Sequence, residues 1–134
     1  MIERITVSAP ERTCFVDITG RVNEALGRLG AGEGVCHVFV PHTTAGVVVN
    51  ENADPDVATD MLAWLDRMVP QNDTDYRHAE GNSPAHIKST LVGQSATLPV
   101  TGGKLALGTW QGVYLAEFDG PRERKIVVNF IGAE

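Results

Sequence analysis

The chain has 134 residues, 43% of them hydrophobic and 21% charged, close to the roughly 150 residues of one domain and long enough to bury about two thirds of its surface without disulfide or metal staples. Eleven basic against seventeen acidic residues leave a net charge of −6 with no Lys/Arg stripe, which argues against a nucleic-acid partner. Apolar runs such as Ala45 to Val49 and Ile126 to Val128 fall far short of the ~18 residues of a membrane helix, and Met1-Ile2-Glu3-Arg4 does not open a signal peptide, so a cytoplasmic protein with no membrane partner is expected.

Ile2 to Ser8 and Thr13 to Ile18 read as a first pair of strands joined by a turn at Pro10. From Thr19, a plausible N-cap, Val22, Ala25, Leu26 and Leu29 recur at helical spacing until Gly30. Val35 to His42 and Ala45 to Glu51 are β-branched and apolar on both parities, which predicts strands covered on both faces. Asp54-Pro55 opens a second helix whose stripe is Val57, Met61, Leu65 and Met68, stopped by Pro70; Ser83-Pro84 opens a third that ends near Gly93. Ala96 to Val100, Lys104 to Leu107, Gly112 to Phe118 and Lys125 to Ile131 complete about eight strands. Because the last strands are consecutive, the expected class is α+β, with packed, largely antiparallel β-sheets and three helices in a single domain over residues 1–134. Cys14 and Cys36 belong to no CxxC pair and read as two buried, reduced thiols.

Function is sought where polar residues interrupt apolar rows. His42 extends the row Cys36, Val38, Val40, whereas His37 reads as a packed core side chain. Asn50 and Glu51 close the next strand, and Glu117 lies in register with Val113 and Leu115. A carboxylate in such a row needs a partner, with Arg122 or Arg124 available to Glu117. If Ser83 caps its helix, His86 falls at the third helical position, where the free N–H groups disfavour imidazolium and favour a neutral ring able to act as base or ligand. Three imidazoles, His42, His78 and His86, would leave an open position on Zn²⁺ or a similar ion. The helix N-termini at Asp54 and Ser83, with Lys88, Thr43, Thr44 and Arg122, could receive a phosphate.

Five motifs carry a resemblance: His42-Thr43-Thr44-Ala45-Gly46; Asn50-Glu51-Asn52-Ala53-Asp54-Pro55; His78-Ala79-Glu80-Gly81-Asn82-Ser83 with His86; Leu107-Gly108-Thr109-Trp110-Gln111; and Glu117-Phe118-Asp119-Gly120-Pro121-Arg122. In this order they resemble the signature set of the YjbQ-like family, also called secondary thiamine-phosphate synthase, and the similarity runs from the first strand to Ile131. The resemblance implies a homotrimer of small α+β subunits, with the histidines of the first and third motifs near a metal or anion site. It further implies coupling of hydroxymethylpyrimidine diphosphate to thiazole phosphate with loss of pyrophosphate. Since 134 residues cannot form the ~250-residue TIM barrel that usually does this chemistry, an unrelated site would have to carry it.

The expectation is therefore a metal-dependent enzyme acting on a phosphorylated small molecule. His42, Glu51 and Glu117 are the candidate catalytic residues, the two acids as proton carriers or orienters. His42, His78 and His86 would hold a divalent metal, zinc or magnesium. Thr43, Thr44, Asn50, Asn82, Lys88, Trp110, Gln111, Asp119 and Arg122 are the candidate ligand-binding residues. The alternative is a non-catalytic trimer that binds a metal or a phosphorylated metabolite.

Overall fold

A computed structural model describes residues 1–133. In chain order the elements are β1 (Ile2–Ala9), β2 (Cys14–Asp17), α1 (Thr19–Arg28), β3 (Gly34–Phe39), β4 (Ala45–Glu51), α2 (Pro55–Met68), α3 (Ser83–Val92), β5 (Ser95–Thr101), β6 (Lys104–Leu105), β7 (Gln111–Glu117) and β8 (Arg122–Gly132). They form a five-stranded sheet, ordered β1-β8-β3-β5-β6, and a three-stranded sheet, ordered β2-β7-β4. Every pairing is antiparallel, as the run of consecutive late strands predicts.

The core lies between the sheets. Ile5, Val38, Ile126 and Val128 from the larger sheet meet Val47, Val113 and Leu115 from the smaller, and α1 adds Val22, Ala25 and Leu26. A second, smaller cluster forms on the far side of the small sheet, where Ala85, Ala116 and Phe118 are covered by Leu62 and Leu65 of α2 and by Val92. The layers are thus large sheet, core, small sheet and the helices α2 and α3.

Several local expectations are corrected. Ile18 rather than Thr19 is the N-cap of α1, and Asp17 accepts from both the N–H and the hydroxyl of Thr19. Asn82 rather than Ser83 caps α3, so Ser83 is its first residue and His86 its fourth, with the His86 N–H donating to the Asn82 carbonyl at 3.4 Å. The stripe on α2 is only half covered: the helix buries no residue fully, and Met68 and Trp64 are exposed. β3 is covered on one face only, since Val35 and Phe39 face outward. His37 shares that outer face, half-buried, stacked on Phe39 with ring centroids 6.3 Å apart and 3.3 Å from Asn129, and is not a core side chain. The reason is common to these strand residues: among the described residues no helix packs on the outside of the large sheet, and sequence parity cannot say which apolar face is left open.

A close approach fixes the end of α3. A Cβ on Gly46 would collide with the Gly93 carbonyl and Val92. The bare backbone of β4 instead lets the Val47 N–H donate to the Gly93 carbonyl at 3.0 Å, while the Val40 N–H takes the Gln94 carbonyl at 2.8 Å.

Candidate functional site

The β3–β4 connection, His42 to Thr44, faces the start of β8 and the inner side of α3. The sheets cross here, and Glu117, at the end of β7, meets Arg124 of β8. Arg124 donates from Nε to Glu117 Oε1 at 2.7 Å and from Nη2 to Oε2 at 2.5 Å and to Thr44 Oγ1 at 2.8 Å. The two side chains are 0% and 4% exposed. Glu117 Oε2 also accepts from the Asp119 N–H at 2.9 Å, so both oxygens are occupied by donors. The sequence left Arg122 and Arg124 as alternative partners for this acid; Arg124 is the one. A carboxylate this enclosed orients its neighbours and has no path for carrying protons to a ligand.

The loop beyond Glu117 holds the next group of predicted residues. Asp119 Oδ2 accepts from Asn82 Nδ2 at 2.9 Å, and Arg122 donates from Nε to the Asp119 carbonyl at 2.9 Å and lies 3.4 Å from its carboxylate. Asn82 Oδ1 is buried and has no partner among the described residues. It is an acceptor awaiting a donor.

His42 sits against the backbone of β8, with Nε2 3.0 Å from the Lys125 N and 3.1 Å from its carbonyl oxygen. Burial lowers its pKa below the usual histidine value, the Arg124 guanidinium and then Arg122 add to the effect, and the Lys125 backbone and Glu117 oppose it. The ring is therefore neutral at pH 7. Its Nδ1 has no hydrogen bond among the described residues, which leaves one nitrogen for a ligand.

A groove of about 530 Å³ runs from His42 and Thr43 to α3, walled by Phe39, His86, Ser89 and Thr90. Ser89 donates to the Thr43 carbonyl at 2.6 Å and so ties α3 to the loop. Ser89 was not singled out in the sequence; its four-residue spacing from buried Ala85 marks it as a polar residue on the inner face of α3. On the other side of His86, the His78 ring meets it edge-on with centroids 5.3 Å apart. His78 also stands 3.9 Å from Glu80.

The three histidines thus form a chain, His42 to His86 across the groove and His86 to His78 by ring contact. Among the described residues no group of three or more His, Cys, Asp or Glu converges to hold a metal ion. The donor set of one chain therefore does not fit a three-imidazole zinc or magnesium site. Lys88 is also placed elsewhere: it is buried, pairs with Asp66 of α2 and lies 5.9 Å from the Phe118 ring, outside the groove.

Four predicted residues fall at the other end of the small sheet. Ala45 pairs with Glu117, whereas Glu51, six residues on, pairs with Gln111; at ~3.4 Å per residue the two ends are roughly 20 Å apart. At this far end Asn50 Oδ1 accepts from the Glu51 N–H at 2.7 Å, and the Glu51 carbonyl accepts from the Tyr114 hydroxyl at 3.1 Å. Gln111 Oε1 accepts from the Gly108 N–H at 2.9 Å, and Trp110 is 64% exposed. Asp17, missed in the sequence, belongs here. Burial raises its pKa, but hydrogen bonds from Thr19 and Asn52 outweigh that and hold the carboxyl below its ordinary value.

The family model described as UPF0047 protein YjbQ-like matches residues 3–133. The chain belongs to the YjbQ-like UPF0047 family. It is 46% identical over 132 residues to the UPF0047 protein MJ1081 of Methanocaldococcus jannaschii, covering 98% of this chain and 95% of that one. It is 44% identical over 132 residues to the UPF0047 protein YugU of Bacillus subtilis, covering 98% and 100%. A crystal structure of a YjbQ/UPF0047 family protein from Clostridium acetobutylicum superposes with a TM-score of 0.92 at 49% identity, covering 96% of this chain and 99% of that one. The conserved hypothetical protein TT1486 of Thermus thermophilus superposes at 0.91 with 46% identity, covering 96% and 99%. The names of these relatives state no activity.

Proposed function

We propose that the His42 groove binds the phosphate end of a small phosphorylated molecule and that the chain is a transferase. The observation that carries this reading is His42 itself: a ring kept neutral, fixed through Nε2 on the Lys125 peptide, with Nδ1 unbonded among the described residues, on a side chain that lines the groove. Such a ring can take a proton from a nucleophile or give one to a leaving group. Thr43, Ser89 and Thr90 supply polar groups on the groove wall, and Arg122, on the neighbouring loop that Asn82 and Asp119 hold and with its charge felt at His42, supplies the charge that a departing phosphate needs. Glu117, saturated by Arg124 and the Asp119 N–H, acts as an orienter.

The specific reaction suggested by the family resemblance is the coupling of hydroxymethylpyrimidine diphosphate to thiazole phosphate. There the thiazole nitrogen displaces pyrophosphate from the pyrimidine methylene carbon, and the protein's task is to hold both partners and stabilise the leaving diphosphate. A divalent metal enters this reading only with a donor from outside one chain.

Assembly as a homotrimer is part of the proposal. The support for it is an apolar patch on the outside of the large sheet, where Ile2, Val35, Phe39 and Ile131 are exposed.

Titration calorimetry with inorganic pyrophosphate tests the site, and incubation with the two thiamine precursors tests the reaction. We expect His42→Ala and Arg122→Ala each to weaken pyrophosphate binding at least tenfold. Affinity in both variants equal to that of the unsubstituted protein would refute the site. Binding without product formation would favour the non-catalytic binder, which the enclosure of Glu117 also favours.

A further inference from the structure

His86 belongs to two grooves. One is the His42 groove; the other, of about 440 Å³, opens among Tyr76, Arg77, His78 and Ile87. That volume lies within the roughly 300–1,000 Å³ of small-molecule sites, and phosphate binding beside His42 leaves this second space unused. Its walls include three rings, and local structure holds the first of them. The Tyr76 hydroxyl donates to the Pro70 carbonyl at 2.7 Å, and the Tyr76 N–H donates to the Asp73 carbonyl at 3.2 Å. The Asp73 side chain braces the same turn by accepting from the Asp75 N–H at 2.8 Å. The segment leading from α2 to α3 therefore presents a fixed aromatic wall, faced by exposed Ile87 of α3.

Two observations define what this space takes. The His78 and His86 planes stand 87° apart, so a flat ring lying face to face with one meets the other edge-on, and both arrangements are favoured between aromatic rings. Asp75 and Arg77 line the same space, and neither side chain has an ion pair among the described residues. A carboxylate only accepts and a guanidinium only donates, so together they match a ring edge that carries an N–H donor and an unprotonated ring nitrogen. Arg77 alone would suit a second phosphate, but Asp75 in the same groove and Glu80, 3.9 Å from His78, oppose another anion there.

We propose that the groove behind His86 is a slot for a flat, amino-substituted nitrogen heterocycle, and that it holds the organic half of the molecule whose phosphate end lies in the His42 groove. The two spaces share the His86 wall, so a ligand whose ring and phosphates are joined by a short link fills both, with the link lying against His86. Tyr76, Asp75 and Arg77 then select the ring, while His42 and Arg122 act on the phosphates. A diphosphate with an aliphatic chain in place of the ring gains neither the stacking nor the Asp75 and Arg77 contacts. The proposal rests on the His42 groove being the phosphate site.

Titration calorimetry on the full chain with three probes tests the slot: inorganic pyrophosphate, isopentenyl diphosphate as the aliphatic comparison, and hydroxymethylpyrimidine diphosphate, whose ring carries an amino group. We expect the pyrimidine to bind at least tenfold more tightly than the other two. Asp75→Asn, Arg77→Gln and Tyr76→Leu should each remove most of that preference and leave pyrophosphate affinity unchanged, while Tyr76→Phe, which keeps the ring, should retain most of it. In NMR spectra the ring protons of the bound pyrimidine should show NOEs to the Ile87 methyl groups. Equal affinity for the pyrimidine and the aliphatic diphosphate, or a preference that Asp75→Asn, Arg77→Gln and Tyr76→Leu all retain, would overturn the slot and leave the His42 reading intact. Ring NOEs to Ile87 without any pyrophosphate binding would uphold the slot and remove the His42 reading instead.

Discussion

Glu117 and Arg124 bridge the two sheets where they cross, joined by bonds of 2.7 and 2.5 Å in a space closed to solvent. The pair also holds Thr44 and Asp119, so one buried contact sets the positions of two of the five motifs. Removing one partner leaves the other charge buried and alone. Glu117→Gln and Arg124→Met should each cost about 3–5 kcal/mol, and the double variant clearly less than their sum. Urea denaturation of all four proteins measures this, and additive losses would contradict the coupling.

The lowered pKa of His42 gives stability a definite pH dependence. The folded ring binds its proton less tightly than the unfolded one, whose pKa is ~6.5, so the unfolded state holds more protons between the two values. Stability should rise with pH through that window, be lost on acidification through it, and owe no further change to His42 below it. His42→Asn should flatten this part of the curve. The checks are denaturation from pH 5 to 7.5 and an NMR titration of the His42 ring, and an unshifted titration would defeat the expectation.

Gly46 is required by a contact with backbone, not by its own torsions. Gly46→Ala puts a methyl into the Gly93 carbonyl and Val92, neither of which can retreat without disturbing the Val47 hydrogen bond. A loss of about 1–3 kcal/mol is expected. Gly20→Ala in α1, where an added Cβ meets nothing within 4 Å, serves as the control and should be neutral or slightly stabilising.

The two thiols should differ sharply. Burial pushes Cys36 up to about 11, and the residue is fully enclosed, whereas Cys14 is half-buried with a smaller upward shift. A thiol reagent at pH 8 should label Cys14 alone in the native protein and both residues after denaturation. Native labelling of Cys36 would show that the core opens at that strand.

Much of this was legible in the residues. Asp54-Pro55 and Ser83-Pro84 announced α2 and α3 because a proline in the first turn is a local signal, joined in α2 by the Asp54 side-chain cap; in α3 the cap is Asn82, one residue before the one expected. Glu117 stood out because a carboxylate among Val113 and Leu115 must find a cation. What the sequence could not give was long-range. Nothing local tells that Glu51 lies a strand's length from Ala45 and so away from His42, or that Lys88 turns to Asp66. Those distances follow from strand register and from which helix covers which sheet, set by pairings between segments far apart in the chain. The same holds for His37, whose apolar neighbours Val35 and Phe39 look like core in sequence and lie on an open face.

The residues between α3 and β5 have a consequence of their own. An outermost strand such as β4 offers unsatisfied backbone groups to any extended chain that comes near, and the Val-Val-Val run it carries would suit a growing fibril. Gly93 occupies one of those groups directly. The segment that delivers α3 to the groove therefore also guards the strand against misassembly, and loosening it should show first as aggregation on storage, before any loss of binding.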